Sequence, residues 1–524
     1  MTLRVVACAA PQFIEGDVGE KALSSSDPAS LYNACRYAAS LAAQGRGAWG
    51  DSNWGGGREQ RRETTLLLWS LPEARQRMQR ALVRVRPNLV LIGAMTICLR
   101  GAIETAEMVR AALGDSVCIV LGGRHATETV YAGRKPGKVA HHVSSPLRLM
   151  AEEEIPEEVF DVVVSGDGEY VIARLGELVS SLDERGMPAR SARLHLDALT
   201  DCPGTWIAGS VSGGSVAVVS GGNVPIDYHS MPSPSAMFGI TAAFDVFGGA
   251  PTAHVFSDIG YGCIYDCAFC SERISVVGAP RQMRSSGTRL HAQLSSARRV
   301  VDEDHAPGSD ASAFVEDSTL LGWNARLVSQ FEQCMEAEPV RIRLGGQATI
   351  DQIVRSPDLA HRMSALGLEY LFMGLETPLP DVVGGLHKNI GGKNGTWMER
   401  ADRALTILAD AGITVGLSLL FGLGEGRYER DLLFTELAEW RRQDMFGAIS
   451  MNWATQHPLR DSVVAPEYRY LDWAVGRGPM LPLLRHFGES SECYPVAGGS
   501  TPGMSEVRDI ITATDIVSRR RRAS

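Results

Sequence analysis

Short apolar runs alternate with amphipathic helical segments along most of this 524-residue chain. In the first 200 residues, continuous apolar strands are predicted at 88–92, 117–121 and 160–164, and helices at 101–113 and 170–182. Apolar strands separated by helices are typical of a parallel sheet that is covered on both faces. Such a sheet binds its ligands outside the carboxyl ends of its strands.

A second series of strands and helices begins near residue 251. Its predicted strands lie at 254–259, 313–316, 341–344, 370–374 and 414–421. Five strands with helical spacers predict a full or partial parallel barrel, whose active site would lie at the carboxyl ends of the strands.

The two series divide the α/β chain into four predicted regions. Residues 1–182 are expected to form an N-terminal Rossmann-like domain, and residues 183–250 a linker with a small β element at Ser215–Ser220. Residues 251–450 are expected to form a partial (β/α)6 barrel. Residues 451–524 are expected to form a small C-terminal extension that covers the substrate.

Charge and hydropathy narrow the functional classes. The formal net charge of −10 argues against non-specific binding to nucleic acid. The longest apolar run, 412–424, is too short to span a bilayer, and the N-terminus lacks the apolar segment of a signal peptide. We therefore expect a cytoplasmic protein without a membrane partner, in which clustered cysteines are more often metal ligands than disulfides.

Three cysteines within one short segment carry the strongest chemical signal. Cys263, Cys267 and Cys270 follow a predicted strand and a glycine-rich turn at 260–262. Thiolates suit iron–sulfur clusters or zinc. Structural zinc normally takes four protein ligands, often from two cysteine pairs, and the next cysteine is the distant Cys334. The spacing therefore favours an iron–sulfur cluster with one open iron over a zinc site.

This segment resembles the signature of the radical S-adenosylmethionine (SAM) superfamily, in which the residue before the third cysteine is usually aromatic, as Phe269 is. The resemblance covers residues 251–450. It implies that Cys263, Cys267 and Cys270 hold a 4Fe–4S cluster whose open iron binds the amino and carboxylate groups of SAM. It also implies that reduction of the cluster cleaves SAM to a 5′-deoxyadenosyl radical.

Later strand ends extend the resemblance through the segments 314–317 and 374–377. The segment 419–425 resembles the family's sixth strand, where the backbone packs the adenine. The SAM contacts that the resemblance implies are Phe269, Glu316, Asp317, Arg343, Gly374 and Glu376. Alternatively, the acids begin turns or helices, and Arg343 pairs with a nearby carboxylate.

The N-terminal sheet resembles the cobalamin-binding domain of cobalamin-dependent radical SAM enzymes, through the segments 87–95, 120–126 and 161–169. The groove for the nucleotide tail would be lined by Met95, Thr96, Gly122, Gly123, Gly166 and Gly168. The Asp-x-His-x-x-Gly motif that supplies the cobalt ligand in classical domains is absent. Either water or another side chain faces the cobalt, or no cobalamin binds. His125 belongs to the tail-binding turn and is not an expected ligand.

The combined resemblance implies a cobalamin-dependent radical SAM methyltransferase. It would transfer methyl from SAM, through methylcobalamin, to an unactivated carbon of a small-molecule or peptide natural product. A flavodoxin- or ferredoxin-like donor would reduce the cluster. The alternatives are a cobalamin-dependent rearrangement or cyclisation, a polar methyl transfer, and a non-catalytic cobalamin or iron–sulfur sensor. The open iron disfavours the sensor, because a pure electron carrier normally closes its cluster.

Overall fold

A computed structural model of the chain gives two compact units. Met1–Gly239 with Pro458–Val475 form the first unit, and Ile240–His457 with Gly476–Ser524 form the second. The residues that the structure describes are 3–11, 29–44, 65–67, 74–133, 138–222, 224–226, 233–240, 242–257, 263, 265–273, 285–378, 380, 395–458, 468–471, 480–484, 486–488 and 490–518.

The first unit is built on a seven-stranded sheet. In chain order, its elements are β1 (Val5–Ala9), α1 (Ala29–Gln44), β2 (Thr65–Leu67), α2 (Ala74–Val85), β3 (Leu89–Gly93), α3 (Leu99–Leu113), β4 (Cys118–Gly122), α4 (Arg124–Thr129), β5 (Val130–Ala132), β6 (Val139–His141), α5 (Pro146–Ala151), β7 (Val162–Gly166), α6 (Glu169–Glu184), β8 (Trp206–Ser212), β9 (Ser215–Ser220) and α7 (Pro234–Phe238).

The strand order in this sheet is β2-β1-β3-β4-β7-β8-β9. The first five strands run parallel, whereas β8 is antiparallel to β7 and β9 to β8. β1 is buried along its whole length, as expected of a parallel strand covered on both faces. The parallel strands and their crossover helices confirm the predicted Rossmann-like sheet, and they bring the ends of β3, β4 and β7 to one edge.

The structure differs from the sequence prediction over 183–250, because β8 and β9 extend the first sheet instead of forming an isolated element in a linker. Burial holds β8 in place: the fully buried indole of Trp206 donates to the carbonyl oxygen of Cys202 at 3.0 Å. Gly209 lies so close to Leu147 that a Cβ would sit 2.5 Å from Leu147 Cδ1. Glycine and serine interrupt the branched and aromatic residues of β8, which is why no strand was predicted there.

The second unit is also built on a seven-stranded sheet. Its elements are β10 (Ala242–Ala243), β11 (Pro251–Val255), α8 (Ser286–Asp304), β12 (Ser312–Val315), α9 (Ala325–Ala337), β13 (Arg343–Ala348), α10 (Ile350–Arg355), α11 (Asp358–Ala365), β14 (Leu368–Glu376), α12 (Trp397–Asp410), β15 (Thr414–Phe421), α13 (Arg427–Arg442), β16 (Ala448–Trp453), α14 (Leu481–Leu484) and α15 (Met504–Ser518).

The strands of the second sheet follow one another in chain order from β10 to β16. β11 to β16 are parallel and β10 is an antiparallel edge. Six parallel strands in sequence, each joined to the next by helices, form the predicted (β/α)6 half-barrel. The sequence prediction missed β16, and the expected sixth-strand segment 419–425 instead ends the fifth parallel strand, β15.

Side chains alternate between the helix-facing core and the interior of this curled sheet. Ala253 and Val255 join the apolar core, while His254 between them points to the other face. Phe244 lies edge-on to the His254 ring, with centroids 5.4 Å apart, and Phe314 lies 5.7 Å from Phe244. Aromatic rings therefore fill the interior of the sheet around His254.

The C-terminal residues complete the second unit. Arg430 pairs with Glu506, and Arg441 donates to the carbonyl oxygen of Ser518 at 2.8 Å. These contacts fix α15 on α13, although the sequence indicated no fold for this region. None of the helices in the described ranges combines the length and the apolar character that crossing a membrane requires.

Candidate functional site

The three cysteines lie together on one compact loop that follows β11. Cys263, Cys267 and Cys270 cluster with Tyr265 and Phe269. The Cys263 N–H donates to the carbonyl oxygen of Glu272 at 2.8 Å, and the Cys270 N–H donates to the carbonyl oxygen of Cys267 at 3.1 Å. Cys267 is buried, Cys263 and Cys270 are partly exposed, and none of the three is part of a disulfide. The predicted turn at 260–262 lies outside the described residues.

Side chains of the cysteine loop reach residues that follow three other strands. Tyr265 Oη lies 3.5 Å from Thr349 Oγ1, just after β13, and Ser318, just after β12, donates to Glu272 at 3.4 Å. Phe269 packs against an apolar cluster at the carboxyl ends of β15 and β16, made of Leu420, Leu423, Ala454 and Val496. The loop is therefore held at the carboxyl edge of the second sheet, where a half-barrel positions its reacting groups.

The chemistry of the donors suits an iron–sulfur cluster. Three cysteine thiols on one loop are the ligand type that such clusters take. Within the described ranges, no group of three or more His, Cys, Asp or Glu side chains is positioned to hold a single metal ion. A 4Fe–4S cube needs no such convergence, because each thiolate binds a different iron. The residues present therefore fit the cluster.

Two acids, Glu316 and Asp317, directly follow β12, and they have different surroundings. Asp317 is fully buried and accepts hydrogen bonds from the backbone N–H of Ser257, at 3.1 Å, and from its hydroxyl. This carboxylate therefore ties the end of β12 to the residues after β11. Glu316 is only partly buried, and one of its oxygens pairs with Nδ1 of His254. Of the two predicted SAM contacts, Glu316 has the accessible carboxylate.

His254 is a site residue that sequence reasoning missed. The residue is only 3% exposed, and its buried Nε2 has no hydrogen-bond partner among the described residues. Nδ1 supports Glu316, which lies 62 positions later in the chain. The only available signal was a single histidine within an apolar strand, followed by an acid at the end of the next strand.

The end of β14 carries an unusual backbone at the predicted segment 374–377. Glu376 has a φ of 64°, in the left-handed region that side chains other than glycine rarely adopt, and it is 7% exposed. The pairing with β15 shifts register between Gly374 and Glu376. The hydroxyl of Thr377 is buried without a hydrogen-bond partner in the described structure. Such strain is typical of functional sites.

Arg343 does not join this group. It is the first residue of β13, at the amino end of the sheet, whereas the cysteine loop lies at the carboxyl edge. Its guanidinium pairs with Glu369 at 2.6 Å and donates to the carbonyl oxygen of Phe247 at 2.7 Å. The strand begins two residues later than predicted and extends to Ala348. The expected SAM contact at Arg343 is therefore replaced by a structural ion pair.

Hydrogen bonds within the loop after β15 fix its conformation. The Glu425 carboxylate accepts the backbone N–H groups of Gly422 and Leu423, each at 2.8 Å. Burial raises the pKa of Glu425, and these two N–H groups act in the opposite direction. A Cβ on Gly422 would lie 2.3 Å from the Trp453 indole nitrogen. The loop thus presents Leu423 to Phe269 on a fixed backbone.

In the first unit, the six predicted groove residues all lie at the carboxyl edge, but fold packing accounts for several of them. Gly123 and Gly166 have φ values of 96° and 84°. A Cβ on Gly123 would lie 2.7 Å from the carbonyl oxygen of Ala94, and one on Gly166 2.3 Å from that of Thr205. These two glycines are therefore required by the chain's own backbone.

Gly122 and Gly168 have more room, since their nearest neighbours to an added Cβ lie 3.8 and 3.5 Å away. Met95 is partly exposed at the same edge, whereas Thr96 is buried. Met95, Gly122 and Gly168 are partly exposed, and Gly123 and Gly166 are exposed, so Thr96 is the one predicted groove residue that is withdrawn from a ligand. The glycine-rich segment predicted at 44–62 lies outside the described residues from position 45 onward.

His125 is buried behind this edge with both ring nitrogens occupied. Nε2 lies 3.1 Å from the carbonyl oxygen of Ser144, and Nδ1 lies 3.2 Å from the hydroxyl of Thr96. Burial lowers the pKa of His125 to about 3, so the ring is neutral at physiological pH. Because a carbonyl only accepts, Nε2 carries the proton and the Thr96 hydroxyl donates to Nδ1. His125 is a structural residue.

No family model matches the chain, and no curated protein matches it. Among solved structures, it is similar to the radical S-adenosylmethionine methyltransferase TsrM from Kitasatospora setae with cobalamin and a [4Fe-4S] cluster bound. That match has 14% identity and a TM-score of 0.48, and it covers 86% of this chain and 75% of that one.

A second TsrM structure, with tryptophan substrate and the SAM analogue aza-SAM bound, gives 14% identity, a TM-score of 0.46 and coverage of 86% and 73%. The FeFe-hydrogenase maturase HydG from Carboxydothermus hydrogenoformans gives 13% identity and a TM-score of 0.27, over 50% of this chain and 56% of that one. At these identities and scores, the residues of the site, not the likeness, must carry any functional conclusion.

Proposed function

We propose that this chain is a cobalamin-dependent radical SAM enzyme that methylates an unactivated carbon of a small molecule or peptide. The observation that carries the proposal is the loop of Cys263, Cys267 and Cys270 at the carboxyl edge of a parallel half-barrel, in contact with the ends of β12, β13 and β15. Breaking a strong C–H bond needs a species more reactive than any side chain, so cofactors must supply the chemistry.

In this proposal the three thiolates hold a 4Fe–4S cluster. When bound, the cluster would supply the one electron that cleaves SAM into methionine and a 5′-deoxyadenosyl radical. The chain positions SAM with the partly exposed carboxylate of Glu316, which would pair with its ammonium group. Phe269 and the fixed loop after β15 offer the apolar surface for its adenine. Gly374 and Glu376 would contact the remainder of SAM from the end of β14.

The second proposed cofactor is cobalamin, which when bound would carry the methyl group from SAM to the substrate carbon. Met95, Gly122 and Gly168 would line the groove for its nucleotide tail at the carboxyl edge of the first sheet. Gly123 and Gly166, which are exposed at the same edge, would also border the groove, while the buried Thr96–His125 pair would support that edge from behind. An external flavodoxin- or ferredoxin-like protein is the proposed electron donor.

The first experiment tests the cluster. Anaerobically purified and reconstituted protein is assayed for iron and sulfide, alongside a variant with Cys263, Cys267 and Cys270 all changed to Ala. We expect about four irons and four sulfides per wild-type chain and their loss in the variant. The matched control is Cys334→Ala, a partly exposed cysteine on α9 that should retain the cluster. Wild-type protein without iron, or an undiminished triple variant, would overturn the proposal.

The second experiment identifies the reaction. Reconstituted protein is incubated with reductant, SAM and cobalamin together with candidate small molecules and peptides. Formation of both 5′-deoxyadenosine and S-adenosylhomocysteine supports radical methylation. Deoxyadenosine alone indicates rearrangement or cyclisation, S-adenosylhomocysteine alone indicates polar methyl transfer, and the absence of both from protein that retains its cluster indicates a sensor.

A further inference from the structure

The strand β9 lies at one edge of the first sheet and carries no charged side chain. β9 pairs with β8 on one side, and no strand of the described ranges pairs with its other side. No Asp, Glu, Lys or Arg occurs between Asp201 and Asp227. Proteins usually protect such an edge from other chains with charges, prolines or bulges. β9 has none of these, and its six-residue ladder with β8 is regular.

The turn before β9 determines which backbone groups face outward. Gly213 and Gly214 form a two-residue turn with φ values of 57° and 72°, and Ser212 lies opposite Ser215. In such a hairpin the pair beside the turn is hydrogen-bonded, and bonded and non-bonded pairs then alternate. The second, fourth and sixth residues of β9 therefore direct their N–H and C=O groups to the open edge. These residues are Val216, Val218 and Ser220.

Both ends of β9 are fixed by contacts within the first unit. The Glu157 carboxylate accepts the N–H groups of Gly213 and Gly214, at 3.0 and 3.1 Å. At the other end, the N–H of Gly221 donates to the carbonyl oxygen of Trp206 at 3.0 Å. The outward-facing groups are thus held in extended geometry before any partner arrives, which lowers the entropic cost of pairing.

We propose that β9 pairs antiparallel with β9 of a second copy of this chain, about a two-fold axis at Val218. In that register Val218 lies opposite its own copy, and Val216 lies opposite Ser220 of the second copy. Each of the three opposing pairs exchanges two backbone hydrogen bonds, because all of the outward-facing groups coincide. The two sheets join into one continuous sheet across a closed, isologous interface.

The side chains favour a second copy over an unrelated strand. Val216 and Val218 are each 37% exposed, and the pairing brings branched apolar side chains of the two copies together on one face. The set of outward-facing groups is symmetric about Val218, so the edge is complementary to itself. No charge on the strand opposes its own copy.

The test is the oligomeric state of the full chain by sedimentation velocity over a range of concentrations. We expect a wild-type dimer and a Val218→Pro monomer, since proline removes an outward N–H without touching the ladder with β8. The matched control Val218→Thr keeps the N–H and the branched shape, and it should remain dimeric. A wild-type chain that is monomeric throughout, or a folded Val218→Pro protein that stays dimeric, overturns the proposal.

Hydrogen exchange keeps the test decisive if Val218→Pro does not fold. In wild-type protein, the amides of Val216, Val218 and Ser220 should exchange slowly at high concentration and faster on dilution. The amides of Ala217 and Val219, which face β8, should be insensitive to dilution. Fast exchange of the outward-facing amides at every concentration would overturn the dimer.

Discussion

In both sheets, the carboxyl ends of parallel strands meet at one edge. The two edges differ in whether their buried polar groups find hydrogen-bond partners within the chain. At the first edge, both nitrogens of His125 are hydrogen-bonded, and Gly123 and Gly166 pack against backbone. At the second edge, His254 Nε2 and the Thr377 hydroxyl are buried without hydrogen-bond partners in the described structure.

Strain differs between the edges as well. Glu376 holds a left-handed backbone at the second edge, whereas the left-handed positions at the first edge are glycines, which adopt it at little cost. A buried unsatisfied group or a strained residue lowers stability and calls for an explanation outside the fold. The comparison teaches that packing accounts for Gly123, Gly166 and His125 at the first edge, whereas packing does not account for the unsatisfied and strained groups at the second.

The prediction with the largest expected effect tests whether close packing against the backbone is the reason that position 123 is a glycine. Gly123→Ala places a Cβ 2.7 Å from the Ala94 carbonyl oxygen at a φ of 96°. We expect it to destabilise the protein by about 3 kcal/mol. Gly122→Ala is the matched control, because the nearest atom to its Cβ is 3.8 Å away. Urea unfolding measures both variants, and equal losses would show that the close contact does not control stability.

The next prediction concerns the support beneath Glu316. His254→Leu removes the partner of this carboxylate, and we expect SAM to bind the reconstituted protein about tenfold or more weakly, the effect of losing a charged hydrogen bond. His254→Asn can keep a donor near Nδ1 and should recover part of the affinity. Calorimetric titration with SAM measures both. Unchanged affinity in a folded His254→Leu protein would make His254 a packing residue only.

A feature could be predicted from the sequence when the residues that define it lie close together in the chain. The strand at 215–220 was predicted with its observed bounds, and β4 and β7 to within two residues, because apolar or branched runs are local signals. β16 was missed because Ser450 and Asn452 on its interior face interrupt the apolar run. The cysteine loop was visible because its ligands lie within one short segment.

The remainder of the site depends on contacts that no local pattern encodes. The pairing of His254 with Glu316 spans 62 positions and forms only when β11 and β12 pair. Arg343 was assigned to the wrong end of its strand because Gly345 and Gly346 hide the continuation of β13. An error of a few residues at a strand boundary moves a side chain from one edge of a sheet to the other.

The third prediction uses the buried histidine of the first unit. Burial lowers the pKa of His125 to about 3, so below its unfolded pKa of about 6.5 only the unfolded state takes up this proton. The stability that His125 contributes is complete above pH 6.5 and declines as the pH falls towards 3. Between pH 6.5 and 5 we expect a loss of about 2 kcal/mol from this group.

The variant His125→Asn isolates that contribution. It should be less stable than the wild type at pH 7.5, because hydrogen bonds to Thr96 and Ser144 are lost or weakened, but its stability should fall less between pH 6.5 and 5. Urea unfolding of the first unit at the two pH values measures the difference. Parallel pH dependences for variant and wild type would contradict a neutral buried ring.

The smallest predicted effect separates strain from function at Glu376. Glu376→Gly and Glu376→Ala both remove the carboxylate, but only glycine relieves the left-handed backbone, so the glycine variant should be about 1 kcal/mol more stable than the alanine variant. Glu153 of the first unit is the matched control, because it is an exposed glutamate with a φ of 59°. Its Gly and Ala variants should show the same difference in urea unfolding.

SAM affinity should fall in both Glu376 variants and in neither Glu153 variant. If the Glu376 variants bind SAM normally, the strain at the second edge does not serve a ligand, and the contrast between the two edges loses its functional meaning.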